Sequence, residues 1–255
     1  MKTFEITSLQ NDLIKYAFKL QDSKFRKAQK QILVDGYKTI DGLILENIKF
    51  EYLFLKKDSK YQKYRNVENI VFVNDEILKK ISTTKTPTDV VGIIQEPEVD
   101  FDVFKGLDKI ALIDGIKDAG NLGTIIRSAV AFSFDGIILF GDCVDLYNSK
   151  VIRATAQNIF KIPIFFCKDI NLIKQIQKTH KLYSTVVNTK NDFMDFSFDE
   201  KFVLALGSEA NGLSEEIIKM SDEKVTFSMD NNVESLNLGV CASIAFALIK
   251  LKNKI

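Results

Sequence analysis

Short apolar runs alternate with amphipathic stretches along the chain, and from residue 109 onward the apolar runs are almost continuous. Strands with this pattern are buried on both faces, and their alternation with helical patterns indicates a largely parallel sheet covered by helices. The predicted strands are IALIDGI, GIILFG, IPIFFC, LYSTVVN, FVLALGS and KVTFSM, and helices are predicted to begin near Asn121, Ser149, Asn171, Ser214 and Leu236. Ligands of such sheets bind beyond the carboxyl ends of the strands, so we expect the chemistry there.

The first 95 residues or so have the pattern of a separate, smaller α/β module. Helical periodicity from Asn11 to Lys30 is followed by a strand and a helix in ILVDGYKTIDGLI. Further strands are predicted in FEYLFLKK, NIVFVND and VVGIIQ, with Asp75 as the N-cap of an intervening helix. The acidic stretch from Glu96 to Gly106 lacks periodicity and is predicted to be a linker. We therefore expect domains at residues 1–97 and 106–255.

Composition narrows the possible functions. Hydrophobic residues make up 46% of the 255 residues, and the formal net charge of +1 requires any nucleic-acid binding to come from a local basic patch. Cys143, Cys167 and Cys241 lie far apart, which argues against disulfides and zinc and favours a reducing cytoplasm. The single histidine, His180, cannot form a metal cluster, and we expect it to be structural. The N-terminus lacks a signal pattern, and no apolar run approaches the ~18–20 residues that cross a bilayer.

The first candidate for chemistry is the segment from Asp114 to Arg127, in which a strand ends, a glycine-containing loop follows and a helix begins. We expect Asn121 to cap this helix, and the free N–H groups of its first turn could hold an anion. The glycine spacing excludes a Walker loop and a dinucleotide-binding loop. A simple helix cap with an arginine on the surface is the alternative interpretation.

Two later segments have the same strand–loop–helix form. In LALGSEANGLS, Gly207 would let a ligand approach the backbone, Glu209 could accept a hydrogen bond or hold an arginine, and Ser214 is the expected helix cap. In FSMDNNVESLNLGVCAS, Ser235 is the expected N-cap and Asn237 lies in the first turn, ahead of small residues that permit close packing. A tight turn with a solvated glutamate, and a capped C-terminal helix, are the structural alternatives.

Taken together and in this order, the three segments resemble the SpoU/TrmH-type RNA ribose 2′-O-methyltransferases of the SPOUT superfamily. NLGTIIR, GSEANGLS and MDNNVESLNLG carry the resemblance, with intervals of 20 residues from Gly207 to Phe227 and nine from Phe227 to Leu236. It covers about residues 107–250, and residues 6–95 resemble the usual N-terminal RNA-binding domain of the family. The resemblance implies an α/β fold: a SPOUT-type parallel sheet with a C-terminal trefoil knot, preceded by a small α/β RNA-binding domain.

The resemblance also implies a cofactor and an assembly. The cofactor would be S-adenosyl-L-methionine, held mainly by backbone groups at the positions that match Gly207, Phe227 and Leu236, with Met229 close by. The family is usually homodimeric with active sites at the interface, and no metal is expected.

On the acceptor side, the matching positions are Arg127, Asn121, Glu209, Ser235 and Asn237. A ribose 2′-hydroxyl must lose its proton as it attacks the methyl group of a sulfonium. Arg127 matches the family arginine proposed to act on that hydroxyl, but a guanidinium group is a poor base. We therefore expect Arg127 to bind the adjacent phosphate and orient the hydroxyl, with proton acceptance left open. Glu209 could anchor Arg127, in the same chain or across a dimer.

Four positions depart from the pattern of the family. Ala119 stands where proline is common and Ala210 where glycine is common, and neither lies at a predicted site residue. Ser228 replaces the usual proline after Phe227, and Gln157 stands where glycine is frequent. The last two leave the geometry of the cofactor loop open.

A row of basic residues in the first domain is the predicted RNA contact: Lys15, Lys19, Lys24, Arg26, Lys27 and Lys30. A solvated helix face is the alternative. The aromatic residues show no RNP-type signature, so structured RNA recognised by shape is expected, with rRNA as the first choice and tRNA as the second.

The sequence thus predicts a cytoplasmic RNA 2′-O-ribose methyltransferase that depends on S-adenosylmethionine. A non-catalytic RNA-binding or ribosome-assembly factor that keeps the fold is the main alternative. A SPOUT enzyme that methylates a base is a third.

Overall fold

The computed structural model describes residues 2–57, 64, 66–84, 86–187, 189–230 and 235–252. The chain forms two compact units: the first comprises Met1–Pro97 and Tyr147–Ile152, and the second comprises Glu98–Leu146 and Arg153–Ile255. The predicted second domain, residues 106–255, includes the segment Tyr147–Ile152. The local pattern of this segment does not indicate that it belongs to the first unit.

The first unit contains a mixed sheet. Its described elements are β1 (Lys2–Ile6), α1 (Asp12–Lys19), α2 (Ser23–Gln29), β2 (Gln31–Asp35), α3 (Tyr37–Leu45), β3 (Phe50–Lys56), β4 (Asn69–Val73), α4 (Asp75–Ile81) and β5 (Val90–Gln95). The strand order is β1–β4–β3–β5–β2. The first three strands in this order are parallel, and β5 runs antiparallel to both of its neighbours.

Two helix boundaries in this unit differ from the prediction, and short polar side chains explain both. The periodic stretch from Asn11 to Lys30 forms two helices, because Asp22 takes an extended backbone and its carboxylate accepts a hydrogen bond from Phe25 N–H at 2.9 Å. Asn74, and not Asp75, caps α4, since its side-chain oxygen accepts from Ile77 N–H at 3.0 Å. Local caps of this kind satisfy the free N–H groups of the next helix.

The second unit contains a sheet whose strand pairs are all parallel. Its described elements are β6 (Lys109–Asp114), α5 (Ala119–Ala131), β7 (Gly136–Phe140), the end of α6 (Ser149–Ala154, of which 149–152 belong to the first unit), β8 (Ile164–Cys167), α7 (Ile170–Ile176), β9 (Lys181–Thr185), β10 (Phe202–Gly207), α8 (Glu215–Met220), β11 (Glu223–Val225) and α9 (Leu238–Lys252), with 3-10 helices at Phe101–Gly106 and Asn158–Phe160. The strand order is β11–β9–β10–β6–β7–β8. The predicted α/β fold with a parallel sheet is therefore confirmed.

The central strands of this sheet end at the same edge. Gly207 at the end of β10 pairs with Asp114 at the end of β6, which pairs in turn with Phe140 at the end of β7. Apart from Lys109 at the start of β6, the strands are apolar and buried up to these residues. The polar loops that follow are thus brought to one edge, as the sequence predicted.

Helices α5 and α9 pack against each other through small residues. A Cβ at Gly239 would lie 3.2 Å from the Cβ of Thr124, and the hydroxyls of Ser128 and Ser243 are 2.7 Å apart. The close packing predicted for the small residues of α9 is confirmed. This contact brings the first turns of the two helices together at the carboxyl edge of the sheet.

The trefoil knot stays a prediction, because residues 231–234, between β11 and α9, lie outside the described part of the chain. Across the described ranges, none of the helices combines the length and the apolar composition needed to cross a bilayer.

Candidate active site

The loop after β10 folds back onto the strand that precedes it. Ser208 and Gly212 exchange backbone hydrogen bonds of 3.1 and 2.9 Å, and Gly212 has a φ of +64°. A Cβ at Gly207 would overlap the backbone of Gly212 and Leu213. Glycine at position 207 is thus required by the close approach of the loop's own backbone, whereas the sequence suggested the approach of a ligand.

Asp114 holds the far end of this loop. Its carboxylate is buried and accepts a hydrogen bond from the backbone N–H of Ser214 at 2.7 Å. Ser214 occupies the N-cap position of α8, as expected, but its hydroxyl makes no capping hydrogen bond. The role of Asp114 was missed in the sequence, although an acidic residue at the end of a buried strand is a usable signal for it.

Three predicted site residues form a hydrogen-bonded network at the meeting point of α5 and α9. The side-chain amide of Asn121 donates to the Glu209 carboxylate, and the amide of Asn237 donates to Asn121 Oδ1 at 3.0 Å. The Oδ1 of Asn237 in turn accepts from Val240 N–H at 3.2 Å. The N-cap oxygen of Asn237 must accept a hydrogen bond from α9, so the NH₂ group of the same side chain points toward Asn121. Asn121 then accepts through its oxygen and donates through its own NH₂ group to Glu209.

The predicted helix caps in this region need correction. Asp118, and not Asn121, caps α5, since its Oδ1 accepts from Asn121 N–H at 2.8 Å. Asn237, and not Ser235, is the residue whose side chain caps α9. In both cases the side chain that does not cap its helix has another place. The Asn121 side chain bonds to residues outside its own helix, and Ser235 lines the neighbouring cavity.

A cavity of about 470 Å³ lies beside this network, beyond the ends of β9 and β10. All four residues predicted to hold a cofactor line it: Gly207, Phe227, Met229 and Leu236. Two of the predicted acceptor-side residues, Glu209 and Ser235, lie on its wall as well. The cavity therefore combines an apolar lining with a carboxylate and a hydroxyl at its border, as small-molecule sites commonly do.

Part of the cavity wall was not predicted. Thr185, Val186 and Val187 line it from the end of β9, and Cys241 lines it from α9. The predicted strand LYSTVVN signalled this part of the wall, since its end belongs to the same sheet edge. Burial raises the pKa of Cys241 to about 11, so its thiol is neutral at physiological pH.

Arg127 differs from the rest of the predicted set. It lies on α5 with an exposed side chain, which makes no hydrogen bond or ion pair to any described residue. Glu209, which was expected to anchor it, is bonded to Asn121 instead. Within one chain, the anchoring of Arg127 by Glu209 is therefore wrong, and its form across a dimer stays a prediction.

The departure at Gln157 has a structural explanation. Gln157 has a φ of +77°, and Ala156 before it has a φ of +47°. A positive φ favours glycine, which explains why glycine is frequent at position 157 in the family. In this chain Gln157 adopts the same backbone conformation. Behind the site, a Cβ at Gly123 of α5 would overlap Ala154, so this part of the chain also packs closely on α5.

The basic row of the first unit is only partly as predicted. Five of its members are exposed: Lys15, Lys19, Lys24, Lys27 and Lys30. Arg26 is buried and donates from Nη1 to the carbonyls of Leu20 and Gln21 at 3.2 and 3.4 Å, so it is not part of the exposed row. The break between α1 and α2 turns Arg26 inward to cap the end of α1.

The histidine has the structural role that was expected. His180 is buried, with Nε2 at 2.6 Å from the carbonyl of Leu107 and Nδ1 at 2.9 Å from the hydroxyl of Thr179. In the part of the chain that the structure describes, no three His, Cys, Asp or Glu side chains form a group that could hold a metal ion.

Two family models match the chain. The model of the SpoU rRNA methylase family matches residues 108–247, more than half of the chain. The model of an MRM3-like substrate-binding domain matches residues 11–92.

Individual relatives and solved structures agree with these matches. A protein of Synechocystis named an uncharacterized tRNA/rRNA methyltransferase is 26% identical, over 94% of this chain and 90% of its own. The 23S rRNA (guanosine(2553)-2′-O)-methyltransferase of Bacillus subtilis is 23% identical, over 94% of this chain and 96% of its own. The crystal structure of an AdoMet-bound rRNA methyltransferase from Sinorhizobium meliloti superposes with a TM-score of 0.88 at 25% identity, covering 98% of both chains.

Proposed function

The chain belongs to the SpoU rRNA methylase family, and we propose that it transfers a methyl group from S-adenosylmethionine to a ribose 2′-hydroxyl of ribosomal RNA. The observation that carries this proposal is the position of the cavity beside the Asn121–Glu209–Asn237 network. Two similar proteins support it: the Sinorhizobium meliloti structure is an AdoMet-bound form, and the Bacillus subtilis relative is a 2′-O-methyltransferase of 23S rRNA.

The cavity fits this cofactor in size and chemistry. About 470 Å³ is within the range of sites for molecules of this size, which is roughly 300–1,000 Å³. We propose that Gly207, Phe227, Met229 and Leu236 hold it, with the loop at 207–212 offering backbone groups to its polar parts. When bound, S-adenosylmethionine supplies a methyl group on a positively charged sulfur, and the neutral Cys241 thiol adds no charge to this environment.

The acceptor side is built to position a hydroxyl. Arg127 is always charged and is exposed on α5, so it suits a phosphate of the RNA backbone next to the reacting ribose. The network holds the Glu209 carboxylate in place as a hydrogen-bond acceptor, so this carboxylate can accept a hydrogen bond from the 2′-hydroxyl and thereby orient it. Correct placement of two reactants is worth about 7–11 kcal/mol in favourable cases. We therefore assign Arg127 to orientation of the ribose, with Asn121, Ser235 and Asn237 supporting that geometry.

The first unit is proposed to bind the RNA substrate. Its match to a substrate-binding domain and its five exposed lysines support this role. Phosphate contacts of this kind give affinity without sequence readout, so the shape of a folded RNA would select the site. Ribosomal RNA is the proposed substrate, ahead of tRNA, and the proposed location is the cytoplasm.

We propose a homodimer formed through α9. From Leu238 to Ile249 this helix is apolar on all sides except at Ser243, as is typical of helices that are covered on all sides. In a single chain, Val240, Ile244 and Leu251 are 46%, 39% and 60% exposed, and their spacing puts them on one face. A second copy of the chain would cover this face. Light scattering of Ile244→Glu should show monomers where the unmodified protein shows dimers, and an unchanged mass would contradict the proposal.

Two measurements test the proposed function. Calorimetric titration should show binding of S-adenosylmethionine, and its absence would contradict the cofactor site. Mapping of ribose methylation in cells that lack the gene should show one missing 2′-O-methyl group in ribosomal RNA. Binding of RNA with no missing methyl group, on ribose or base, would instead favour an assembly factor, and a missing base methylation would favour a base-modifying enzyme.

A further inference from the structure

The segment after β9, described at residues 186–187 and 189–196, runs along the outer edge of the sheet and holds one wall of the cavity. Val186 N–H donates to the carbonyl of Val225 at 2.9 Å, and the hydroxyl of Thr226 donates to the carbonyl of Val187 at 2.8 Å. Further along, Thr226 N–H donates to Asn191 O at 2.9 Å, and Phe193 N–H donates to Thr226 O at 2.7 Å. The segment therefore follows the chain from β11 into the residues that line the cavity.

Asp192 bridges this segment to the cavity wall. One carboxylate oxygen accepts from Met194 N–H at 2.7 Å, within the segment, and the other accepts from Ser228 N–H at 3.1 Å, across from it. Ser228 lies between Phe227 and Met229, both of which line the cavity. Hydrogen bonds from the Ser228 side chain, and then from Met194 N–H, lower the pKa of Asp192, so the bridge is an ionised carboxylate at neutral pH.

Phe193 supports the same wall from behind. Its ring is fully buried and stacks on that of Phe227, with centroids 4.4 Å apart and planes inclined by 17°. Its carbonyl accepts from Lys252 Nζ at 3.0 Å, and this lysine also donates to the carbonyl of Phe196 at 2.8 Å. The end of α9 thus fixes the segment, and the segment fixes Phe227.

We propose that Asp192 and Phe193 are positioning residues for the cofactor: they hold residues 226–229 in the shape that admits it, without touching it themselves. Neither residue lines the cavity, and both contact residues that do or that lie between them. In this chain, the carboxylate of Asp192 restrains position 228 through its N–H group, a bond that a proline there could not make. The inference rests on the proposed function, since it concerns the same cavity.

The test compares Asp192→Asn and Phe193→Leu with matched controls in the full-length protein. An asparagine can keep only one of the two accepting oxygens, so the bridge between Met194 and Ser228 is broken. We expect the Kd for S-adenosylmethionine and the KM for it to rise about tenfold, with kcat at saturating cofactor unchanged. Phe193→Leu removes the ring that stacks on Phe227 and should raise both constants in the same direction.

The controls separate positioning from general loss of structure. Asp195→Asn removes the same charge three residues away, and Phe196→Leu removes a ring of the same aromatic cluster that does not stack on Phe227. Both should leave the Kd for the cofactor within twofold. The inference is overturned if the two test variants bind the cofactor as the unmodified protein does, or if the controls weaken binding equally. An unmodified protein that binds no cofactor would instead contradict the proposed function.

Discussion

The cavity and Arg127 lie in the same unit but differ in how many contacts hold their side chains in place. The cavity wall is interlocked: Gly207 is pressed against the loop that follows it, Asp114 holds that loop, and Phe227 is stacked on a buried ring. Arg127 is exposed and, as far as the described residues go, without a polar partner. The described cavity wall is therefore held by contacts within one chain, whereas the proposed role of Arg127 requires a group from the RNA.

This difference has a physical basis. A preformed cavity avoids the loss of conformational freedom that ordering a loop around a small ligand would cost on binding. A long cationic side chain on the surface keeps its freedom until a phosphate orders it, and its charge remains hydrated until then. We therefore expect the cavity to respond to mutation in stability and cofactor binding, and the exposed arginine in turnover alone.

The largest expected effect is that of Arg127→Ala. Loss of the group that orients the ribose should lower kcat by about 10²–10⁴-fold, the range typical of residues that act on the reacting hydroxyl. The Kd for S-adenosylmethionine and the free energy of unfolding should not change, because the side chain has no partner among the described residues of the fold. Methyl transfer to ribosomal RNA in vitro measures the first, and calorimetry with urea unfolding the others. Arg127→Lys should recover only part of the activity, and full activity of Arg127→Ala would refute the assignment.

Gly207→Ala should have the largest effect on the cavity. The added methyl group overlaps the backbone of Gly212 and Leu213, so we expect the free energy of unfolding to fall by about 3 kcal/mol. Cofactor binding should be lost as well. Gly106→Ala is the matched control, since a Cβ there meets nothing within 4 Å. Urea unfolding of both variants checks this, and equal stabilities would show that the loop can move aside at little cost.

Cys241 gives the cavity wall a response to alkaline pH. Burial raises its pKa from an ordinary value near 9 to about 11. The folded state is therefore favoured fully below pH 9, and this advantage is lost as the pH rises from 9 to 11, because the thiol of the unfolded chain ionises first. Between pH 8 and pH 10.5 this amounts to about 2 kcal/mol. The decrease in the free energy of unfolding over that interval should be smaller by this amount in Cys241→Ala. An identical decrease in both proteins would mean that the thiol is as accessible to solvent as in the unfolded chain.

The network beside the cavity should show a smaller, coupled effect. Asn237→Ala removes the cap of α9 and the donor to Asn121, which should cost about 1–2 kcal/mol in the free energy of unfolding. Asn121→Ala in the Asn237→Ala background should cost less than it does alone, because the shared bond is already gone. Asn237→Asp keeps an accepting oxygen for the cap and replaces the donor to Asn121 with a negatively charged oxygen, so it tests the bond to Asn121 while the cap is retained. Strict additivity of the two alanine variants would show that the network does not act as a unit.

Much of the fold and of the site could be predicted from local pattern. Continuous apolar runs such as FVLALG predicted the buried parallel strands, and the resemblance of the polar segments to the family implied the residues that would line the cavity. The caps could not be predicted with equal success, because Asp118 and Asn121, or Ser235 and Asn237, are equally able to cap a helix. Which one does so depends on the dihedral angles at the turn, and these are decided by what each helix packs against.

The sequence by itself determined the alternation of strands and helices and the order of the three polar segments, since each depends on a short stretch of chain. The family resemblance of those segments then implied Gly207, Phe227, Met229 and Leu236 as cofactor residues. Only the tertiary structure decided the partner of Glu209, the burial of Arg26 and the support of Phe227 by Phe193. These contacts join residues that are distant along the chain or follow a break in a helix. Their formation depends on the register of the whole sheet, which no local pattern contains.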